Sequence, residues 1–107
     1  MKVISLALFV LLLAGCSSGP RIDHSYTASG QNSRVQYIVL HYTSADLPRS
    51  LELLTKEEVS AHYLINAVPP TIYQLVDENR RAWHAGVSQW QGRTWLNATT
   101  IGIELIN

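Results

Sequence analysis

The chain has 107 residues, with 8 Lys and Arg against 8 Asp and Glu, a formal net charge of zero. That balance leaves no electrostatic footprint for nucleic acid or an anionic surface as partner. Its single cysteine excludes an intramolecular disulfide.

The chain opens with a basic residue, Lys2, and residues 3–13 are apolar apart from Ser5. A basic start, a short apolar run and small residues before a cut site describe a secretory signal peptide. The run is well short of the ~20 residues a membrane-spanning helix needs. It ends in Leu13-Ala14-Gly15-Cys16, which resembles the lipobox of bacterial lipoproteins. The resemblance implies that residues 1–15 are removed and that Cys16 carries lipid, which anchors a soluble domain to a membrane. The alternative for Cys16 is a buried or redox-active thiol. Ser17 follows the cysteine in place of an Asp, and by resemblance to known lipoprotein sorting this implies the outer membrane, facing the periplasm.

Residues 16–32 are rich in Ser and Gly and poor in apolar side chains. They read as a lipidated tether, because such a composition cannot bury enough surface to fold. Residues 33–107 then form the domain, about 75 residues and near the low limit for a single core.

Within it, Val35-Gln36-Tyr37-Ile38-Val39-Leu40 is β-branched and aromatic and predicts a buried strand. Alternation puts Val35, Tyr37, Val39 and His41 on one face, with His41 at the strand end. Leu47, Leu51 and Leu54 recur at helical spacing behind Pro48, predicting a short helix over residues 48–54. Thr55-Lys56-Glu57-Glu58 has the form of a capping box. Residues 59–65 predict a second strand and residues 71–76 a third, paired with it across Pro69-Pro70. Asp77-Glu78-Asn79-Arg80 is a polar turn. Residues 83–97 carry all three tryptophans with Gly86 and Gly92 and no period; a long aromatic loop in a compact domain is more often functional than idle. Residues 100–106 predict a fourth strand. The fold class is α/β, a mixed central β-sheet flanked by helices. Because the last strand has no helix after it to cover a face, the domain is expected to be truncated at its C-terminal side.

None of the local signatures HExxH, CxxC or GxSxG is present, so any chemistry is assembled from distant segments. His41 stands where a strand runs out, a place where open α/β sheets put ligands, and a neutral imidazole there can bind zinc. The alternative is a ring bonded to a backbone carbonyl. Glu104 interrupts an apolar strand and shares its face with Gly102 and Ile106. Buried, it fits a general base; on an edge strand it would face water. Gly102 leaves room for a ligand or another backbone. His62 reads as a packed histidine with a backbone hydrogen bond. Trp83 and His84 on the aromatic loop fit a carbohydrate or peptide groove, or plain packing.

Four blocks occur in order: Ile38-Val39-Leu40-His41-Tyr42-Thr43; Val59-Ser60-Ala61-His62-Tyr63-Leu64-Ile65; Ala82-Trp83-His84-Ala85-Gly86-Val87-Ser88; and Leu96-Asn97-Ala98-Thr99-Thr100-Ile101-Gly102-Ile103-Glu104-Leu105. Together they resemble the type 2 N-acetylmuramoyl-L-alanine amidases, whose family includes phage amidase lysozymes and peptidoglycan recognition proteins. With the lipobox and Ala67-Val68-Pro69-Pro70, the resemblance is to the outer-membrane lipoprotein branch. It implies a zinc (Zn2+) amidase that cuts between N-acetylmuramic acid and L-alanine in peptidoglycan or muropeptides, for cell-wall turnover. It maps the first zinc ligand to His41 and the catalytic glutamate to Glu104. Trp83, His84 and Asn97 fall in the substrate groove, and His62 is structural. The family's other ligands, a His and an Asp, and an assisting lysine lie in its C-terminal third, so this chain alone is expected to be inactive. The competing reading is a non-catalytic peptidoglycan-binding lipoprotein. Nothing in either reading calls for a protein partner or nucleic acid.

Overall fold

The computed structural model describes residues 19–107, so the expected signal peptide, residues 1–15, and Cys16 lie outside the described residues. The chain divides into two compact units at residues 31 and 32. Residues 19–31 contain no helix or strand and are exposed throughout. The second unit carries the fold.

Its strands and helix run in the order β1 (Tyr37–Thr43), α1 (Leu47–Lys56), β2 (Tyr63–Asn66), β3 (Thr71–Gln74), β4 (Gln89–Trp90), β5 (Arg93–Thr94) and β6 (Thr100–Ile106). A four-stranded mixed sheet has the order β1-β6-β2-β3. β6 runs parallel to both β1 and β2, while β3 is antiparallel to β2. The last strand in sequence is therefore central, and Glu104 does not sit on an edge.

β1 is not the fully buried strand its composition suggests. Its residues alternate between half-buried and exposed, and it continues two residues past His41. Tyr37, Val39, His41 and Thr43 face inward, while Ile38, Leu40 and Tyr42 are exposed. The composition misleads because β-branched and aromatic residues are favoured on both faces of a strand.

α1 begins one residue before Pro48. Its N-cap is Asp46, whose side chain accepts from the Arg49 N–H at 3.0 Å, with proline in the first turn. The Thr55–Glu58 pattern caps nothing: Thr55 lies in the last turn and donates to the Leu51 carbonyl. α1 packs Leu47, Leu51 and Leu54 onto Ala61, Leu64, Tyr73, Leu75 and Ile106. Leu64 is wholly buried, a contribution of about 2 kcal/mol. Leu64 pairs in register with Glu104 on one side and Tyr73 on the other, so α1 covers the face that also carries His41 and Glu104.

β2 is shorter than expected because His62 leaves the ladder. Its backbone N–H donates to the Gly102 carbonyl at 2.9 Å, and its side-chain Nδ1 accepts from the Gly102 N–H at 3.0 Å. A side chain thus takes the place of a backbone acceptor, and strand pairing begins at Tyr63. The aromatic loop is not featureless. β4 and β5 make a tight hairpin whose two central residues, Gln91 and Gly92, have φ of 48° and 76°, as two-residue hairpin turns demand. A 3₁₀ turn, Leu96–Ala98, then delivers the chain to β6.

Candidate active site

His41 and Glu104 are direct partners in the parallel register of β1 and β6, and both are half-buried on the α1-covered face. Neighbouring strands lie about 4.8 Å apart, so an imidazole and a carboxylate stand side by side. Glu104, with Thr43, Ser50, Leu54, Trp83 and His84, lines a cavity of about 290 Å³ between α1 and the loop after residue 82. His41 adjoins the cavity through its neighbours Glu104 and His84. Among the described residues the Glu104 carboxylate has no hydrogen-bond or ion-pair partner.

His84 closes the other side of this face. Its ring lies over Gly102: a Cβ on that glycine would come within 2.3 Å of His84 Cγ. The opening left by Gly102 is therefore filled by a side chain, neither a ligand nor another backbone. The ring is tied at both nitrogens, Nδ1 to His41 Nε2 at 2.9 Å and Nε2 to the wholly buried Thr100 hydroxyl at 2.8 Å. Burial lowers the His84 pKa to about 4, and the positive charges available at His41, His62 and Arg34 push it the same way.

Asn97 holds the backbone beneath His84. Its Oδ1 accepts from the N–H groups of His84 and Ala85, at 3.1 and 2.8 Å. The nitrogens of His84 and the carbonyl of Asn97 are thus engaged inside the protein. Trp83 is different. It is 58% exposed and forms a wall common to the first cavity and a second of about 680 Å³ bordered by Arg80 and Arg81.

His62 is fully buried. Because Nδ1 accepts from Gly102, the proton of the neutral ring sits on Nε2 and donates to the Arg80 carbonyl at 2.8 Å. That is the packed, backbone-bonded histidine expected from the sequence. The Arg34 guanidinium, 3.0 Å from the same Nε2, is also a donor, so the two groups meet at the Arg80 carbonyl instead of bonding to each other.

Arg34 had no mark in the sequence. It lies just ahead of β1 in a polar stretch, yet its guanidinium donates to four carbonyls: Glu78 at 2.8 Å, Arg80 at 2.7 Å, Ala98 at 3.2 Å and Thr100 at 3.1 Å. One rigid fork thereby joins the turn before Trp83 and His84 to the start of β6. Only the planar, five-donor geometry of arginine can do this. Thr100 is the second unmarked residue; its partners come from other segments and from the turn preceding β6.

Among the described residues no group of three His, Cys, Asp or Glu side chains could hold a metal ion. The His41 ring lies on this face beside Glu104. Its Nε2 is engaged, and Nδ1 has no partner among the described residues.

The chain is 46% identical to the N-acetylmuramoyl-L-alanine amidase AmiD of Escherichia coli K12, over an alignment covering 91% of this chain and 40% of that protein. The solved structure of E. coli AmiD with the substrate anhydro-N-acetylmuramic acid-L-Ala-D-γ-Glu-L-Lys superposes with a TM-score of 0.71 at 46% identity, covering 85% of this chain and 38% of that one. AMPDH3 from Pseudomonas aeruginosa gives a TM-score of 0.70 at 44% identity, covering 83% and 40%. The chain thus spans about 40% of the length of these relatives. The N-acetylmuramoyl-L-alanine amidase model Amidase_2 matches residues 31–107, and this chain belongs to that family.

Proposed function

We propose that the protein hydrolyses the amide between N-acetylmuramic acid and L-alanine in muropeptides, in the turnover of cell-wall peptidoglycan. The observation that carries the reading is the pairing of His41 with Glu104, whose side chain lines an open cavity. Support comes from the family match and from relatives solved with anhydromuramyl peptides. In this reading His41 is one zinc ligand, through Nδ1. The described residues do not amount to the three protein ligands of a catalytic zinc, so this chain by itself would bind the ion weakly and turn over little substrate. Zinc, when bound, polarises a carbonyl and acidifies a water.

The chain's own residues then have separate tasks. Glu104, without a partner among the described residues, accepts a proton from the attacking water and returns it to the leaving amine of L-alanine. Trp83 offers an exposed ring to the glycan or peptide. We further propose that lipid on Cys16 anchors the protein to the outer membrane, facing the periplasm, which would set the domain beside its polymer.

The decisive variant is Glu104→Gln, made in the full-length protein, with release of L-alanine-linked peptide from peptidoglycan measured beside zinc content. A fall of about 10²–10⁴-fold in turnover with zinc and fold retained is the expected result. Unchanged turnover would remove Glu104 from the chemistry. A second reading is a peptidoglycan-binding lipoprotein without turnover. It predicts retention on peptidoglycan with no peptide released by wild-type protein.

A further inference from the structure

We propose that Thr100 and His84 are positioning residues that fix the tautomer of His41, so that its Nδ1 lone pair is the one left free. The inference deepens the reading of His41 as a metal ligand and rests on it for its functional meaning. The tautomer itself follows from hydrogen-bond direction alone.

The chain of donors starts at a group with no choice. The Leu96 carbonyl can only accept, and Thr100 Oγ1 lies 2.6 Å from it. Thr100 is wholly buried, so no solvent competes for its hydroxyl proton. A hydroxyl has one proton; given to Leu96, it leaves Oγ1 to act toward His84 Nε2, 2.8 Å away, as an acceptor. His84 must therefore carry its proton on Nε2. In the neutral ring Nδ1 is then bare and accepts, so His41 Nε2, 2.9 Å away, must be the donor. A neutral His41 protonated at Nε2 presents Nδ1 unprotonated.

The surroundings prevent the His84 ring from turning to escape this assignment. Gly102 lies against its face. Asn97 Oδ1 grips the backbone N–H groups of His84 and Ala85. The His41 ring meets it edge-on, with centroids 5.1 Å apart and planes at 74°. Outer partners that set the tautomer of a ligating histidine typically matter 10–100-fold in metal affinity. Here that partner is a second histidine whose own state is set by a buried threonine.

The test is long-range ¹H–¹⁵N correlation of the histidine ring nitrogens in the metal-free protein. Wild type should show His41 and His84 both protonated at Nε2. Thr100→Val keeps the shape but removes the acceptor, and should leave His84 and then His41 in mixed tautomers. Zinc affinity, followed by the ¹⁵N shifts of His41, should fall about 10–100-fold in that variant. Thr100→Ser should restore tautomer and affinity together. Finding His41 protonated at Nδ1 in wild type would overturn the proposal, as would a Thr100→Val protein with unchanged tautomers. If Thr100→Val does not fold, the wild-type tautomers and Thr100→Ser still decide. His41→Ala separates the two readings: zinc binding that survives it removes His41 as a ligand, while the wild-type tautomer measurement stands.

Discussion

His41 and Glu104 are register partners on adjacent parallel strands, although they lie near opposite ends of the folded unit in sequence. A ring nitrogen and a carboxylate are thereby juxtaposed without any sequence motif that contains both. Their common face is completed by His84, which reaches in from a loop and contacts both β1 and β6.

Acidity tests the environment of His84 in the metal-free protein. Its folded pKa of about 4 lies below the ordinary 6.5, mainly through burial. The unfolded chain therefore binds a proton that the folded one refuses. The resulting stability is complete above about 6.5 and is lost as pH falls from there toward 4, by at most about 1.4 kcal/mol per pH unit. Denaturant midpoints measured across that range should fall for wild type. His84→Gln should show a flatter profile, and identical slopes would mean that His84 titrates normally.

Gly102→Ala tests the close approach of His84 to β6. The new Cβ would lie 2.3 Å from the ring, and the ring is held by hydrogen bonds at both nitrogens, so it cannot simply swing aside. A loss of roughly 1–3 kcal/mol is expected, the usual cost of overpacking, together with shifted ring signals of His41 and His84. Unperturbed stability and spectra would show that the ring is not seated on Gly102.

Arg34→Ala removes the fork that joins the turn at residues 78–80 to the start of β6. Charge-assisted hydrogen bonds contribute more than neutral ones, and carbonyls left without donors carry a penalty, so the expected loss is about 2–4 kcal/mol. Arg34→Lys should recover little, since one ammonium cannot span four carbonyls in that layout. Equal stability of Arg34→Lys and wild type in urea unfolding would show that charge, not the fork, is what matters.

Cys16→Ala tests the lipid anchor. Read as a lipobox, Leu13-Ala14-Gly15-Cys16 predicts that wild type partitions with membranes and that the variant does not. Cell fractionation with immunodetection reads this directly. A variant still held on the membrane through its N-terminus would refute lipidation.

Much of the site was legible before folding. Period-two alternation placed Tyr37, Val39 and His41 on one face of β1 and Gly102, Glu104 and Ile106 on one face of β6, whose span matched residues 100–106. The spacing of Leu47, Leu51 and Leu54 found α1, and His62 was recognisable as a packed histidine. These are local properties, set by backbone geometry and side-chain period. Four ordered blocks were enough to name the family because their residues recur in that order.

The insertion of β6 between β1 and β2 could not be read locally, because strand order depends on which chain-distant hydrogen bonds form. The contacts of the site follow from that order. It brought Glu104 beside His41 and set Gly102 against His62 and His84. It also gathered the Glu78, Arg80, Ala98 and Thr100 carbonyls around Arg34. An arginine in a polar stretch and a threonine at a strand start look like any others in sequence. Burial and the direction of their hydrogen bonds, which only tertiary structure supplies, make one a clasp and the other the first link to His41.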